Sequence, residues 1–136
     1  KPEDIKIMLM ADHGLVLYGN AIMVNPDYAK ANPKVVAGFV RATLKALRYI
    51  RQDKEGTVAA LLKFSGVSRQ QASRLYDDLI GTFTRNGAVD EETQKNDLNI
   101  VRQVTNSNET LPNARAYDFS FALEADQQLN KTGWKP

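Results

Sequence analysis

The spacing of the apolar residues changes once along this chain, close to Asn25. Before that point, Ile5–Met10 and Leu15–Val24 are largely apolar runs separated by a short turn-forming segment, a pattern typical of short strands. After Asn25 the apolar residues recur every three or four positions, as on one face of a helix. The sequence therefore predicts a mainly α chain with a short N-terminal β pair, and strands only between Ile5 and Val24.

Capping residues divide the helical part into segments. Asn32 stands directly before Pro33, which suits the first position of a helix, and Ser68 with Gln71 has the spacing of a capping box. After a short turn from Asn25-Pro26 through Tyr28, the predicted helices run from Pro33 to about Arg51, from Asp53 to Ser65-Gly66, from Ser68 to Asn86-Gly87, from Asp90 through Val104, and from Asp118 to Leu129.

Two of these helices have a pronounced apolar face. The helix that begins at Pro33 is expected to be the central packing element, with Phe39, Val40, Leu44 and Leu47 buried. The helix that begins at Ser68 is expected to bury Ala72, Leu75, Tyr76, Leu79, Ile80 and Phe83.

Composition excludes several kinds of site. The 136 residues include no cysteine and one histidine, which excludes disulfides, thiolate nucleophiles, Cys-based zinc sites and multi-histidine metal sites. No glycine-rich phosphate loop and no paired catalytic carboxylates are evident. We therefore expect no catalytic residues, no metal and no cofactor. The net charge of +2 gives no strong field for nucleic acid, and no apolar run is long enough for membrane insertion.

A helix-turn-helix DNA-binding unit is the less favoured alternative. The turn at Gly66–Ser68 precedes a helix that carries Arg69 and Arg74, which is the spacing of a recognition helix. Asp77-Asp78 follows on the same helix, and such acidic residues disfavour a phosphate-facing surface. We expect no nucleic-acid partner.

Three motifs occur in order along the chain. Tyr18-Gly19-Asn20 leads into the apolar residues 21–24, Asn32-Pro33 opens a helix that reads on to Arg41-Ala42-Thr43, and Tyr117–Ala125 reads YDFSFALEA. Together they resemble the C-terminal part of the periplasmic solute-binding proteins for nitrate, sulfonates, taurine and thiamine pyrimidine precursors. The similarity extends from about Asp12 to Leu129.

The resemblance implies a fragment of a two-lobe α/β fold, the type II periplasmic-binding-protein fold. Residues 1–24 would be interlobe crossover strands, and residues 25–136 would be the helical C-terminal part that packs on the first lobe. The N-terminal half of the usual protein would be absent from this sequence. Because the chain opens at Lys1-Pro2, an export signal is expected upstream, and the implied location is the periplasm.

The implied function is that of a solute-binding component of an ABC importer, and not of an enzyme. Such a protein captures a small anionic or heteroaromatic solute between its two lobes and delivers it to a membrane permease. The alternative is an enzyme similar to the pyrimidine synthases, which share the fold. Those enzymes need reactive side chains and iron ligands that would come from elsewhere in the chain.

The candidate ligand-binding residues are His13, Tyr18, Gly19 and Asn20. Strand alternation places Tyr18 and Asn20 on the same face, where they offer a ring and an amide to a ligand, and Gly19 permits the backbone to bend. Tyr18 is equally compatible with packing under a helix. His13 is expected in a turn, where it is either solvated or directed at the interlobe cleft.

Residues 21–24 are apolar on both faces, as expected for a strand that is covered on both sides. The resemblance implies that the neighbouring strands come from the absent first lobe. An unpaired apolar strand tends to pair with another chain. We therefore expect this chain to self-associate as a two-fold dimer that pairs or exchanges its N-terminal strands.

Overall fold

The computed structural model describes His13 and residues 20–136, and these residues are mainly helical. The helices are α1 (Pro26–Ala31), α2 (Pro33–Gln52), α3 (Lys54–Ser65), α4 (Arg69–Leu79), α5 (Glu91–Val104), α6 (Asn113–Ala116) and α7 (Ser120–Lys131), with a 3-10 turn at Ile80–Thr82 after α4. Residues 20–136 contain no strand, which confirms that the part of the chain after Asn25 is helical.

The predicted N-terminal β pair is not observed in the described residues. The first strand, and the second as far as Gly19, lie outside the described residues. Residues 20–24 form no regular element, and Ile22, Met23 and Val24 are 56%, 92% and 44% exposed. This exposure agrees with the expectation that the cover of the segment would come from a first lobe that this sequence does not contain. A strand requires a hydrogen-bonded neighbour, and the apolar pattern of a segment does not supply one.

Most of the predicted helix starts are confirmed, because capping depends on adjacent residues. The Asp53 carboxylate accepts a hydrogen bond from the backbone N–H of Gly56 at 2.8 Å, and that of Asp90 accepts one from Thr93 at 2.7 Å. Ser68 and Gln71 form the predicted capping box. Gly66, with φ of 63°, ends α3 in the left-handed conformation that glycine adopts without steric cost.

Two helix boundaries differ from the prediction. Helix α4 ends at Leu79 and its 3-10 extension at Thr82, well before the Asn86-Gly87 pair. Helix α7 starts at Ser120 with Phe119 at the N-cap, so Asp118 is not the capping residue. Asn32 makes no side-chain cap for α2; its amide instead donates to the Tyr28 carbonyl at the end of α1, at 3.2 Å.

The chain divides into two compact units, each of which is described by itself. In the unit formed by Asn25–Ala88 and Phe119–Pro136, α2 packs against α7, and α3 packs against α4. In the described part of the other unit, residues 20–24 and 89–118, α5 packs against α6. There the amide of the buried Gln94 donates to the Val89 carbonyl at 2.9 Å.

The α2–α7 interface contains the hydrophobic core. Leu44 of α2 is 2% exposed and contacts Ala125 and Leu129 of α7. Beside this core, Nη2 of Arg48 donates to Oδ1 of Asp126 and to Oδ1 of Asn130, both at 2.7 Å. The interface therefore combines apolar burial with a charged pair at its border.

The predicted buried faces are only partly correct. In α2, Leu44 is buried and Val40 and Leu47 are half-buried, but Phe39 is 59% exposed. The helix period identified the right side of α2, but α7 covers the part around Leu44 and Arg48, which leaves Phe39 in solvent.

The apolar face of α4 is a second correction. Ala72 is fully buried and Tyr76 and Ile80 are half-buried, whereas Leu75, Leu79 and Phe83 are 43%, 42% and 37% exposed. Ala72 contributes a small side chain to the pairing of α4 with α3, so the larger apolar residues of the same face stay partly in solvent.

Candidate functional site

The predicted ligand-binding residues fall at the border of the described part of the chain. His13 has a 3-10 backbone conformation and is exposed, and Asn20 is exposed in a segment without regular structure. Tyr18 and Gly19 lie outside the described residues. The described residues provide no test of this group, which remains a prediction.

An open groove lies between α3 and α4. Charged and polar side chains from both helices line it, together with one apolar residue at its base: Glu55, Val58, Arg69, Gln70, Ser73, Arg74 and Asp77. The groove exists because α3 and α4 are joined by a short turn, which the left-handed Gly66 begins and the Ser68 capping box closes.

Cations and carboxylates are paired in this groove. Nη1 of Arg69 lies 2.9 Å from Oε2 of Glu55, and Nζ of Lys54 lies 2.7 Å from both carboxylate oxygens of Asp77. Nζ of Lys54 also lies 5.6 Å from the ring centroid of Tyr76, within the range of a cation–π contact. Among the lining residues the charges of Arg69 and Arg74 are balanced by those of Glu55 and Asp77, so the groove offers little net positive field to an anion.

This pairing bears on the helix-turn-helix alternative. Arg69 is the first residue of α4 and would have to contact DNA in that alternative. In this structure its guanidinium is directed toward Glu55 of α3. The absence of nucleic-acid binding stays a prediction, and the groove supplies no observation in favour of DNA.

A polar depression follows the C-terminus of α5. Arg102, Gln103, Asn106, Ser107 and Asn108 line it. Asn106 has φ of 52°, and the N–H of Ser107 donates to the Arg102 carbonyl at 3.0 Å, which closes the end of the helix in the manner of a Schellman motif. Sequence reasoning identified this region only as a loop; an asparagine at the end of an amphipathic helix is the signal for such an end.

The late motif contains a structural hydrogen bond. The phenol of Tyr117 donates to Oδ2 of Asp97 in α5 at 2.5 Å, and the side-chain amide of Asn113 donates to the Glu91 carbonyl at 3.2 Å. These two bonds hold α6 and its C-terminal flank against α5. Tyr117 therefore acts as a packing residue of this unit.

Two pKa shifts occur at helix starts. A hydrogen bond with the Asp53 carboxylate raises the pKa of the Tyr49 phenol, since the protonated phenol is the donor. The hydrogen bonds from Thr93 lower the pKa of Asp90, since they stabilise the carboxylate. The shift at Asp90 arises from capping and the shift at Tyr49 from a contact between two side chains, and neither group lines the α3–α4 groove.

No helix among the described residues is both long and apolar enough to cross a lipid bilayer. No cluster of three or more histidine, aspartate or glutamate side chains is suited to a metal ion in that part of the chain.

Comparison with protein families identifies residues 1–57 as a match to the family described as NMT1/THI5 like, which is the nitrate/sulfonate/taurine and thiamine precursor binding family. The resemblance is thus confirmed over 57 of the 136 residues. The matched part contains all four candidate ligand-binding residues and α2, whereas the Tyr117–Ala125 motif lies outside it. No curated protein and no solved structure matched the chain.

Proposed function

We propose that the chain is part of the solute-binding component of an ABC importer. It would contribute to the capture of a small anionic or heteroaromatic solute between two lobes, in the periplasm, for delivery to a permease. The observation that supports this proposal is the family match over residues 1–57, because those residues contain Tyr18-Gly19-Asn20 and the helix that follows them.

The proposed role of the chain is binding without chemistry. The ring of Tyr18 and the amide of Asn20 would contact the solute, Gly19 would let the backbone bend there, and His13 would donate to an anion or an aromatic base. The exposure of His13 and Asn20 is consistent with this role, since a ligand must reach them. Closure of the lobes would then bury the solute and select the closed state.

The uncovered apolar segment supports the presence of a partner surface. Ile22 and Met23 are 56% and 92% exposed, and exposing apolar surface costs roughly 25 cal/mol per Å². We propose that the first lobe covers residues 20–24 in the intact protein, and that a second copy covers them when this chain is alone. Sedimentation at micromolar concentration should therefore show a dimer, and a monodisperse monomer would contradict it.

Ligand binding by the chain can be tested with three solutes: taurine, nitrate and an aminopyrimidine. A ligand at ~100 times its dissociation constant should stabilise the folded chain by about 2.7 kcal/mol, which thermal denaturation and calorimetry would detect. We expect Tyr18→Ala and Asn20→Ala to weaken that binding. Asn108→Ala, in an exposed loop, should leave it unchanged and is the matched control.

Two outcomes would contradict the proposal. Absence of binding to all three solutes would contradict the expectation that residues 1–136 bind such a solute on their own. A solute that is bound but recovered in altered form, by mass spectrometry after incubation, would favour the enzyme alternative.

A further inference from the structure

The Asn86-Gly87 pair lies in the bend after the 3-10 turn. An asparagine followed by glycine is chemically susceptible, because glycine carries no side chain to hinder attack of its backbone nitrogen on the asparagine amide. In most folded segments that attack is slow, since the backbone is held away from the required geometry. The structure shows three local features that favour it here.

The first feature is the position of the Asn86 side chain. Its Oδ1 accepts a hydrogen bond from the backbone N–H of Ala88 at 3.1 Å, so the side-chain amide is folded over its own C-terminal peptide. The reacting carbon, Cγ of Asn86, is therefore held on the side of the Gly87 nitrogen. Such positioning lowers the entropic part of an intramolecular barrier.

The second feature is the donor of this hydrogen bond, the backbone N–H of Ala88. When a nitrogen attacks Cγ, negative charge develops on Oδ1, and the Ala88 N–H already points at that oxygen. A backbone N–H at this distance stabilises such an oxyanion. The third feature concerns the nucleophile: among the described residues, no acceptor takes a hydrogen bond from the Gly87 N–H, so no bond must be broken before it loses its proton.

We propose that Asn86-Gly87 is a site of spontaneous backbone modification that the fold promotes, and that the product loosens α7 from α2. The Gly87 nitrogen loses its proton and attacks Cγ of Asn86, a C–N bond forms, and the side-chain nitrogen leaves as ammonia. The resulting cyclic imide then takes up water at one of its two carbonyls. Opening at one carbonyl gives aspartate; opening at the other gives isoaspartate, in which the main chain passes through Cβ.

The coupling to the core follows from the contacts of Gly87. This residue has φ of +77°, and a Cβ placed on it would lie 3.1 Å from Cδ2 of Leu44 and 3.3 Å from Cβ of Ala122. Gly87 therefore packs closely against α2 and α7, with little space for a side chain. Isoaspartate at position 86 adds one methylene to the main chain directly before it, which displaces Gly87 against Leu44.

Asn106 provides an internal control. It is also followed by a small residue, Ser107, and it lies in an exposed turn with φ of 52°. However, the Ser107 N–H donates to the Arg102 carbonyl at 3.0 Å, so its nitrogen is engaged. Exposure alone would favour modification at Asn106, whereas the proposed features favour Asn86.

The rate is tested by incubating the chain in mildly alkaline buffer, folded and in urea, and mapping its peptides for the gain of one mass unit and for isoaspartate. We expect the ratio of the rate in the folded chain to the rate in urea to be at least one for Asn86 and clearly below one for Asn106, because this ratio removes the intrinsic difference between glycine and serine as the following residue. Protection of Asn86 by more than tenfold on folding, or equal ratios at the two asparagines, would overturn the proposal.

The coupling is tested separately by thermal denaturation. The isoaspartate fraction should unfold at a lower temperature than the unmodified chain. The variant Asn86→Asp keeps an acceptor for the Ala88 N–H, so its unfolding temperature should be close to that of the unmodified chain. The variant Asn86→Gln should abolish the reaction. An isoaspartate fraction with an unchanged unfolding temperature would show that the modification does not reach the α2–α7 core.

Discussion

The α2–α7 and α3–α4 helix pairs lie in the same unit but are held together differently. In the first pair, Leu44 and Leu129 are 2% and 3% exposed, and the side chains of Arg48 and Asp126 are 15% and 24% exposed. In the second pair Val58 and Ala72 are buried, but the ion pair is open, with Arg69 and Glu55 side chains 63% and 79% exposed.

The difference in exposure shows that an ion pair contributes differently to the free energy of unfolding in the two helix pairs. An exposed ion pair is screened by water and contributes about 0–1 kcal/mol, whereas loss of a partner from a largely buried pair leaves a charge without compensation. The Arg48–Asp126 pair should therefore contribute more to the free energy of unfolding of this unit than the exposed Arg69–Glu55 pair, whose substitution should be tolerated.

Leu44→Ala should have the largest effect. It removes a fully buried side chain from the α2–α7 core and leaves a cavity, which costs about 2–5 kcal/mol of unfolding free energy. Denaturant titration measures this loss. Phe39→Ala on the same helix is the control, and because Phe39 is 59% exposed its cost should stay within about 0.5 kcal/mol. Similar losses for both would show that something covers Phe39.

Arg48→Met should have the next largest effect. It keeps the aliphatic stem but removes the donor to Oδ1 of Asp126 and to Oδ1 of Asn130, at a cost of about 1–3 kcal/mol. The matched change in the other pair, Arg69→Met, should cost no more than about 0.5 kcal/mol. Adding Asp126→Asn should restore part of the loss in the first pair. Equal losses of unfolding free energy for Arg48→Met and Arg69→Met would show that the two ion pairs contribute equally to stability.

The smallest effect on stability is expected at the junction of α2, which is in the first pair, and α3, which is in the second. The hydrogen bond with Asp53 raises the pKa of Tyr49 above its ordinary value of 10.0. Its contribution to stability is therefore complete below that pH and is lost as the pH rises through the raised folded value. Asp53→Asn should return the pKa of Tyr49 toward 10.0, as measured by ultraviolet titration. An unchanged titration would show that Asp53 does not accept this bond in solution.

Elements that depend on neighbouring residues could be predicted from the sequence. The caps at Asp53, Ser68 and Asp90 and the left-handed Gly66 were correct, because each involves residues within one turn. The burial of Phe39 and Leu75 was predicted wrongly, since burial depends on which helix packs alongside. The amphipathic pattern identifies a face but not its partner, and α7 comes from a distant part of the chain.

The candidate site could be predicted only in part. The three motifs led to a resemblance that is confirmed over residues 1–57, because each motif is a local string of residues. A pocket is assembled from several segments, and a short motif such as Tyr18-Gly19-Asn20 does not specify which other segments complete it. Likewise, Asn86-Gly87 was recognised in the sequence only as a helix stop. Its contact with Leu44 and Ala122 depends on tertiary packing.

The connectivity of the two helix pairs has a consequence for the order in which this unit folds. Arg69 and Glu55, which join α3 to α4, are 14 residues apart, whereas Arg48 and Asp126, which join α2 to α7, are 78 apart. Closing the longer loop costs about 1.5 kcal/mol more in chain entropy. The α3–α4 hairpin should therefore form early, and α7 should dock on α2 late, after the rate-limiting barrier. Weakening the late contact at Leu44 would then raise the unfolding rate and leave the folding rate nearly unchanged.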